Sequence, residues 1–159
     1  MAESLKYSAP AFWGARLLTS AGGLGFFPFF PGTVTSLATV AALFWAMPDK
    51  TVLLMLLILT SFLGMTLTPL IEERRGKDPS EITLDEVAGQ LMTFIFTGGW
   101  SLPLLAAGFV LFRLFDIIKP FAINDVQKIP GGAGVVLDDL LAGLYSAVIL
   151  AVFHYFGVL

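Results

Sequence analysis

Long stretches of this chain carry no charged residue, and the charges between them are clustered. The uncharged stretches are 17–48, 51–71, 87–112 and 140–159. A helix needs about 20 consecutive apolar residues to cross the hydrocarbon core of a bilayer. The second and the fourth stretch therefore each predict one membrane-spanning helix.

The first uncharged stretch is not uniform. Residues 20–32 have the sequence SAGGLGFFPFFPG, which is too rich in glycine and proline for a stable helix. We expect an irregular segment that lies on the membrane surface or re-enters the membrane. A helix is predicted from about Thr33 to about Met47, followed by a short turn at residues 48–50. Because this span is short, we expect tilt or local thinning of the bilayer.

The third stretch determines the predicted topology. A single crossing at 87–112 would place the cations before it and after it on opposite sides, although Lys and Arg normally concentrate in cytoplasmic loops. The sequence TGGWSLP at 97–103 is also a strong turn signal. We therefore predict an all-α, polytopic membrane bundle in a single domain, with five spans at about 33–47, 51–72, 84–96, 103–119 and 138–157.

This topology separates the positive charges by side. The N-terminus and most of the cationic residues lie on the predicted cytoplasmic side, and Lys50 lies on the opposite side. The cytoplasmic cations are Lys6, Arg16, Arg74, Arg75, Lys77, Arg113, Lys119 and Lys128. We expect Arg74, Arg75 and Lys77 to be solvated near anionic lipid headgroups.

The composition agrees with a membrane protein and excludes several kinds of chemistry. Of 159 residues, 57% are hydrophobic and 13% charged, against about 45–50% and about 25% in a soluble domain. With Lys+Arg 9 and Asp+Glu 12 there is no basic surplus for nucleic acid. Cysteine is absent and His154 is the only histidine, so a metal would need oxygen ligands, as Mg²⁺ does.

Three charged clusters fall at the cytoplasmic ends of the predicted helices, in residues 78–90, 112–121 and 131–143. Ionisable groups beside membrane spans usually face a bundle interior or water and are often functional. Capping would explain one acid at each helix start, but two of the predicted helix starts each carry two adjacent acids. The candidate metal ligands are Asp85, Glu86, Asp116, Asp138 and Asp139.

Each cluster also has a purely structural interpretation. Thr83 and Glu86 have the spacing of a capping box. Asp138 has the character of a helix N-cap and Asp139 that of a first-turn acid. Arg113, Asp116 and Lys119 are three residues apart, which predicts either an ion-pair ladder or a phosphate site in which Arg113 and Lys119 bind the phosphate.

Two glycine-containing segments are candidate phosphate sites. The run Gly-Gly-Ala-Gly at 131–134 is either a flexible linker or an anion-binding concavity that includes Gly132. Thr33 is either a helix N-cap or a hydroxyl donor to phosphate. We expect His154, Trp13, Trp45 and Trp100 to be packing or interfacial residues.

Four motifs occur in an order that resembles the phosphatidylglycerophosphatase A family of bacterial membrane lipid phosphatases. They are PGTVTSL at 31–37, ITLDEVAGQ at 82–90, FRLFDIIKPFAI at 112–123 and GGAGVVLDDLLAG at 131–143, and the resemblance covers roughly residues 15–155. It departs at Thr35, where the family often has Gly, and at Ala122, where it often has Pro. Both positions affect local backbone shape more than chemistry.

The resemblance implies an enzyme of the bacterial inner membrane with its active site facing the cytoplasm. Members of the family use Mg²⁺ to remove the terminal phosphate of phosphatidylglycerophosphate, which yields phosphatidylglycerol. By position, the bases of the motifs are Arg113 and Lys119, and the acids are Asp85, Glu86, Asp116, Asp138 and Asp139.

The composition narrows the mechanism independently. Without cysteine, with one histidine on the predicted far side and without an Asp-x-Asp motif, metal-assisted attack of water on phosphorus remains. Arg113 and Lys119 would neutralise charge in the transition state. Asp85 or Asp139 would accept the proton of water, although the sequence does not separate the base from the metal ligands.

Three other classes of protein compete with a phosphatase. A small transporter or channel subunit would use the carboxylates as an ion path, but would place them near the membrane midplane. A phosphotransferase acting on CDP-activated lipids would need a longer aspartate array, which the sequence lacks. A non-enzymatic lipid-binding or assembly subunit is the third class.

Overall fold

The structure, a computed structural model, describes residues 9–120 and 122–158, so Lys6 and Phe121 lie outside it. Within these two ranges the regular structure is entirely helical, which confirms the predicted all-α class. The elements are α1 (Ala9–Thr19), a 3₁₀ helix (Leu24–Phe26), α2 (Pro31–Ala46), α3 (Lys50–Arg75), α4 (Leu84–Thr93), α5 (Leu102–Ile118), α6 (Ile123–Val126) and α7 (Gly132–Tyr155).

The helix boundaries follow from local sequence signals. Pro31 is the first residue of α2, a position where the missing N–H of proline costs nothing. Asp49 caps α3 by accepting hydrogen bonds from the amides of Thr51 (2.8 Å) and Val52 (3.0 Å). Ser101 caps α5 by accepting one from the amide of Leu104 (3.3 Å). The predicted turns at 48–50 and 97–103 are therefore confirmed.

Several predicted helix starts are wrong by a few residues. Helix α2 begins at Pro31, so Thr33 lies in its first turn and is not the N-cap. Thr83 caps α4 without a side-chain hydrogen bond, so the capping box with Glu86 does not form. Helix α7 begins at Gly132 rather than at residue 138, which makes the glycine run part of a helix and not a linker.

That earlier start moves Asp138 and Asp139 into the second turn of α7. They are therefore neither an N-cap nor a first-turn acid. Sequence patterns also missed helices α1 and α6, which are short and lie outside the predicted spans.

Among the described residues, two helices are long and apolar enough to cross a membrane. Helix α3 has 26 residues and α7 has 24, which corresponds to about 39 Å and about 36 Å of helix, and a bilayer core is about 30 Å thick. The other three predicted spans are not confirmed. Helix α4 has only 10 residues, or about 15 Å.

The main helices of the bundle alternate in direction. One end of the bundle, which we call the charged end, contains the first residues of α2, α4 and α7. It also contains the last residues of α3 and α5. The opposite end is formed around Lys50, Trp100 and His154, where the indole N–H of Trp100 donates to the carbonyl of Pro48 (3.0 Å). Between α1 and α2, residues 20–30 form turns and the 3₁₀ helix, in agreement with the predicted irregular segment.

An ion pair fixes α1 to the charged end. The guanidinium of Arg16 donates two hydrogen bonds to the carboxylate of Glu81, at 3.1 and 2.6 Å, and lies over the rings of Trp13 and Phe26. Arg75 also bonds to Glu81 (3.2 Å). The hydrogen bond from Arg16 lowers the pKa of Glu81, so this carboxylate remains charged.

Glycine allows α4 and α7 to approach each other closely. A Cβ atom at Gly89 would lie 2.7 Å from the carbonyl oxygen of Asp139, and one at Gly143 would overlap the carbonyl oxygen of Gly89. Small residues at helix crossings are typical of membrane bundles, where packing replaces the hydrophobic effect. This contact places the start of α4 against the acidic turn of α7.

We expect Gly143→Ala to destabilise the protein by about 1–3 kcal/mol, because the added methyl group meets backbone that cannot move aside. Gly14→Ala is the matched control, since Gly14 is also helical and a methyl group added there would have open space for 4 Å around it. Thermal unfolding in detergent would measure both. Equal melting temperatures for the two variants would contradict the packing argument.

Candidate active site

A polar cavity of about 350 Å³ lies at the charged end of the bundle. Its walls come from α2, from the loop between α3 and α4, and from α4, α5 and α7. All five acids and both bases predicted from the sequence line it, together with Thr33. These residues are Asp85, Glu86, Arg113, Asp116, Lys119, Asp138 and Asp139.

Arg113 joins two acids from different helices. Its guanidinium pairs with the carboxylate of Glu86 on α4 and, through Nη1, with Asp116 Oδ2 at 3.0 Å. Ser36 on α2 donates a hydrogen bond to Glu86 Oε2 (3.0 Å). Both members of the Arg113–Glu86 pair are largely buried, with side chains 15% and 12% exposed. Burial makes each of them dependent on its partner, because an unpaired buried charge is strongly destabilising.

Lys119 extends the same network to α7. The residue ends α5 in a left-handed conformation, with φ of 48°, and its ammonium lies 2.5 Å from Asp138 Oδ2 and 3.9 Å from Asp116 Oδ1. The predicted ion-pair ladder of Arg113, Asp116 and Lys119 is therefore present, but it also includes acids from α4 and α7. A chain of alternating charges connects α4, α5 and α7, and the hydroxyl of Ser36 joins α2 to it.

Two of the acids take no part in this chain. Asp85 is 8% exposed and Asp139 is 3% exposed, and neither forms an ion pair in the part of the chain that the structure describes. Among the described residues, Asp85 Oδ1 and Asp139 Oδ2 are also buried without a hydrogen-bond partner. A buried, charged carboxylate oxygen without a partner is costly, so either a proton or a positive ligand would stabilise these two groups.

The donor set of the cavity fits a hard divalent cation. Six carboxylates, those of the five predicted acids and of Asp78, line the cavity with two cationic side chains, and this excess of negative charge opposes the entry of a phosphate unless a cation accompanies it. Across residues 9–120 and 122–158, no three acidic or histidine side chains form a ready-made metal cage. Mg²⁺ commonly needs only one or two carboxylates, with water and substrate phosphate as its other ligands.

The predicted phosphate-binding residues have different locations. Thr33 lines the cavity, whereas Gly132 does not: a Cβ atom there would lie 2.5 Å from the carbonyl oxygen of Met65 on α3. Gly132 thus serves the contact between α7 and α3. Gly32 packs so closely on Glu86 that a Cβ atom would overlap its carboxylate, which explains the glycine of the PGT motif.

Sequence patterns did not single out every residue of the cavity. Ser36 was noted only as part of a motif. Asp78, Ser80 and Phe30 were not assigned to the site, although all three line the cavity. Asp78 and Ser80 lie in the charged cluster before α4, and this cluster was the signal that could have identified them. His154 and Trp100 line a separate cavity at the opposite end.

Comparison with known proteins identifies relatives over nearly the whole chain. Residues 17–154 match the family model of phosphatidylglycerophosphatase A. The Escherichia coli K12 protein named phosphatidylglycerophosphatase A is 36% identical over 155 residues, which is 92% of this chain and 84% of that protein. A Bacteroides thetaiotaomicron protein, provisionally named phosphatidylinositol-3-phosphatase, is 37% identical over 145 residues, which is 86% of this chain and 91% of that protein. No solved structure matches the chain.

We expect Arg113→Leu to destabilise the protein by about 3–5 kcal/mol, because it leaves Glu86 and Asp116 buried without their partner. Lys128→Ala is the control: it removes an exposed ion pair with Asp125, and such pairs contribute at most about 1 kcal/mol. Chemical unfolding in detergent would measure both variants. If Arg113→Leu were as mild as the control, the network would not be a structural element.

Proposed function

The chain belongs to the phosphatidylglycerophosphatase A family, and from this premise we propose that it hydrolyses the terminal phosphomonoester of phosphatidylglycerophosphate to phosphatidylglycerol and inorganic phosphate with the help of Mg²⁺. The observation that carries the proposal is the convergence of Asp85, Asp139 and the Arg113–Lys119 pair on one cavity. This arrangement supports a phosphatase better than an ion path, because the charges gather at one end of the helices.

Asp85 and Asp139 are the residues that we propose hold the ion. They contribute buried, unpartnered oxygens from α4 and α7, and Glu86, Asp116 and Asp138 are available beside them. When bound, Mg²⁺ would polarise the phosphoryl oxygens and make the attacking water more acidic. Asp85 and Asp139 differ from the other three acids because neither forms a direct ion pair with a cationic side chain in the described part of the chain.

Arg113 and Lys119 are the proposed phosphate ligands. A guanidinium can donate two parallel hydrogen bonds to a phosphoryl group, whereas an ammonium acts as a point charge. Both side chains already lie at the cavity wall and are held there by acids, so little reorganisation accompanies substrate binding. Their positive charge would stabilise the negative charge that spreads over the phosphoryl oxygens in the transition state.

The attacking water needs a proton acceptor, and Asp85 or Asp139 is close enough to the cavity to serve. Whichever of the two does not bind the ion directly is the proposed base, since both line the cavity and neither forms an ion pair with a cationic side chain of the described residues. Thr33, in the first turn of α2, would orient the phosphate through its hydroxyl group and through the amide groups of that turn.

A multi-pass position in the bacterial inner membrane, with the cavity at the cytoplasmic surface, completes the proposal. The two long apolar helices α3 and α7 support membrane insertion. The cationic residues Arg74, Arg75 and Lys77 lie near the end of α3 at the charged end, as expected for the cytoplasmic side. Trp13, Phe29 and Phe30 are 58%, 71% and 78% exposed, which suits a segment lying in the interfacial layer of the same leaflet.

We expect the purified protein to release phosphate from phosphatidylglycerophosphate in mixed micelles with Mg²⁺, and to stop when a chelator removes the ion. The names of the relatives differ in the lipid headgroup, so phosphatidylinositol 3-phosphate should be tested in parallel and is expected to be the poorer substrate. Restored turnover on adding Mg²⁺ back is the control. Undiminished turnover in the chelator would contradict the metal assignment, and absence of turnover on both lipids would contradict the phosphatase itself.

Asp85→Asn and Asp139→Asn should each lower kcat by about 10³-fold or more, because each removes a negatively charged ligand while preserving shape. Both variants should remain folded, since these residues form no ion pair in the described structure. Lys50→Ala, at the opposite end, should leave kcat unchanged. Phosphate release and thermal unfolding should be measured together, and near-normal turnover of either variant would refute its role.

A further inference from the structure

Helices α2 and α3 both pack on α4 but have almost no direct contact with each other. The gap between them is a groove of about 220 Å³ that faces outward from the bundle. Ala42 and Ala46 of α2 form one wall and Val52 and Leu56 of α3 the other, while α4 forms the floor. The groove exists because the two alanines are too small to reach α3.

The surface of the groove is apolar, although two of the residues that line it are threonines. Thr39 and Thr60 also line it, but the hydroxyl of Thr39 donates to the carbonyl of Thr35 (2.9 Å) and that of Thr60 to the carbonyl of Leu56 (2.8 Å). Both hydroxyl groups are therefore satisfied within their own helices. An occupant would meet methyl and methylene groups, and a polar ligand would find no free side-chain donor.

The groove lies beyond the polar cavity along both α2 and α4. On α4, Glu86 of the cavity is followed directly by Val87 of the groove. On α2, Ser36 bonds to Glu86, and Thr39 of the groove is one helical turn further along. The two spaces thus follow each other along α2 and α4, the first charged and the second apolar, and the groove extends to Pro48 at the opposite end.

The direction and the length of the groove match one leaflet of a bilayer. From Thr39 to Ala46 it follows α2 for about 10 Å, and Ala46 lies about 20 Å along the helix from Thr33. Half of the hydrocarbon core is about 15 Å thick. A lipid with its phosphate in the cavity would therefore extend its acyl chain along the groove toward the bilayer centre.

We propose that the groove between α2 and α3 holds one fatty acyl chain of the lipid whose headgroup phosphate occupies the cavity. This inference rests on the proposed phosphatase function and adds the element that positions the lipid. Lipid tails are as apolar as protein side chains, so the surrounding bilayer competes equally well for the chain. The groove therefore contributes orientation of the phosphate rather than affinity for the lipid.

The test fills the groove without touching the cavity. Ala42→Leu and Ala46→Leu place larger side chains between the two helices, and Ala41→Leu is the matched control, because Ala41 is exposed on α2 and does not line the groove. The substrates are dioleoyl and dihexanoyl phosphatidylglycerophosphate in mixed micelles. A hexanoyl chain is twelve carbons shorter than an oleoyl chain, so it would occupy a smaller part of the groove.

We expect the ratio of kcat/KM for the long-chain lipid to kcat/KM for the short-chain lipid to fall about tenfold in both filled-groove variants. The ratio should stay within about twofold of wild type in Ala41→Leu. Having two filling positions keeps the test decisive if one variant fails to fold.

An unchanged ratio in the filled-groove variants would overturn the proposal, even if their overall activity fell. An equal fall in all three variants would also overturn it, because this would indicate general packing of bulk lipid against α2. If wild type released phosphate from neither lipid, the proposed function itself would fail, and this outcome is distinct from loss of chain-length discrimination.

Discussion

Charge pairing between helices determines the arrangement of the charged end. A helix bundle this apolar can bury carboxyl groups only if cationic side chains, a bound ligand or protons neutralise them. Arg113 meets this requirement for Glu86 and Asp116, and Lys119 does so for Asp138. Because the partners lie on α4, α5 and α7, the same ion pairs that lower the cost of burial also fix how these helices meet.

The charge pairing in the cavity is incomplete, and the proposed chemistry depends on the acids that have no ion-pair partner. Two of the five acids keep oxygens that no group of the described structure satisfies, although both are nearly fully buried. In a bundle selected only for stability, such groups would be replaced by apolar residues. Their presence beside Arg113 and Lys119 fits the proposed metal-assisted phosphatase, since the substrate would bring its own negative charge into an acidic cavity.

Close backbone packing is the second condition for the site. Gly89 and Gly143 bring α4 and α7 into contact, and Gly32 brings the first turn of α2 against Glu86. Where α2 and α3 do not meet, the bundle keeps an open apolar groove beside the charged cavity. Glycine at some crossings and alanine at others thus divides the surface into a tightly packed polar site and an open apolar groove.

Local properties of the chain could be read from its sequence. The uncharged stretches predicted α3 and α7 within a few residues, and the proline, aspartate and serine signals predicted the turns at 48–50 and 97–103, because helix length and capping depend on neighbouring residues. The clusters around Asp85, Arg113 and Asp139 were also visible, since charges are rare in such an apolar chain. Glycine was misleading at 131–134, where tertiary packing against α3 offsets its low helix propensity.

The partners of each charged residue were decided only by tertiary structure. Arg113 pairs with a residue 27 positions away, Lys119 with one 19 positions away, and Ser36 with one 50 positions away. No periodicity specifies such pairs, because they depend on the rotation and depth of helices that pack through glycine. The sequence therefore determined which charged groups were available, while helix packing decided which acids form ion pairs and which two keep unpartnered oxygens.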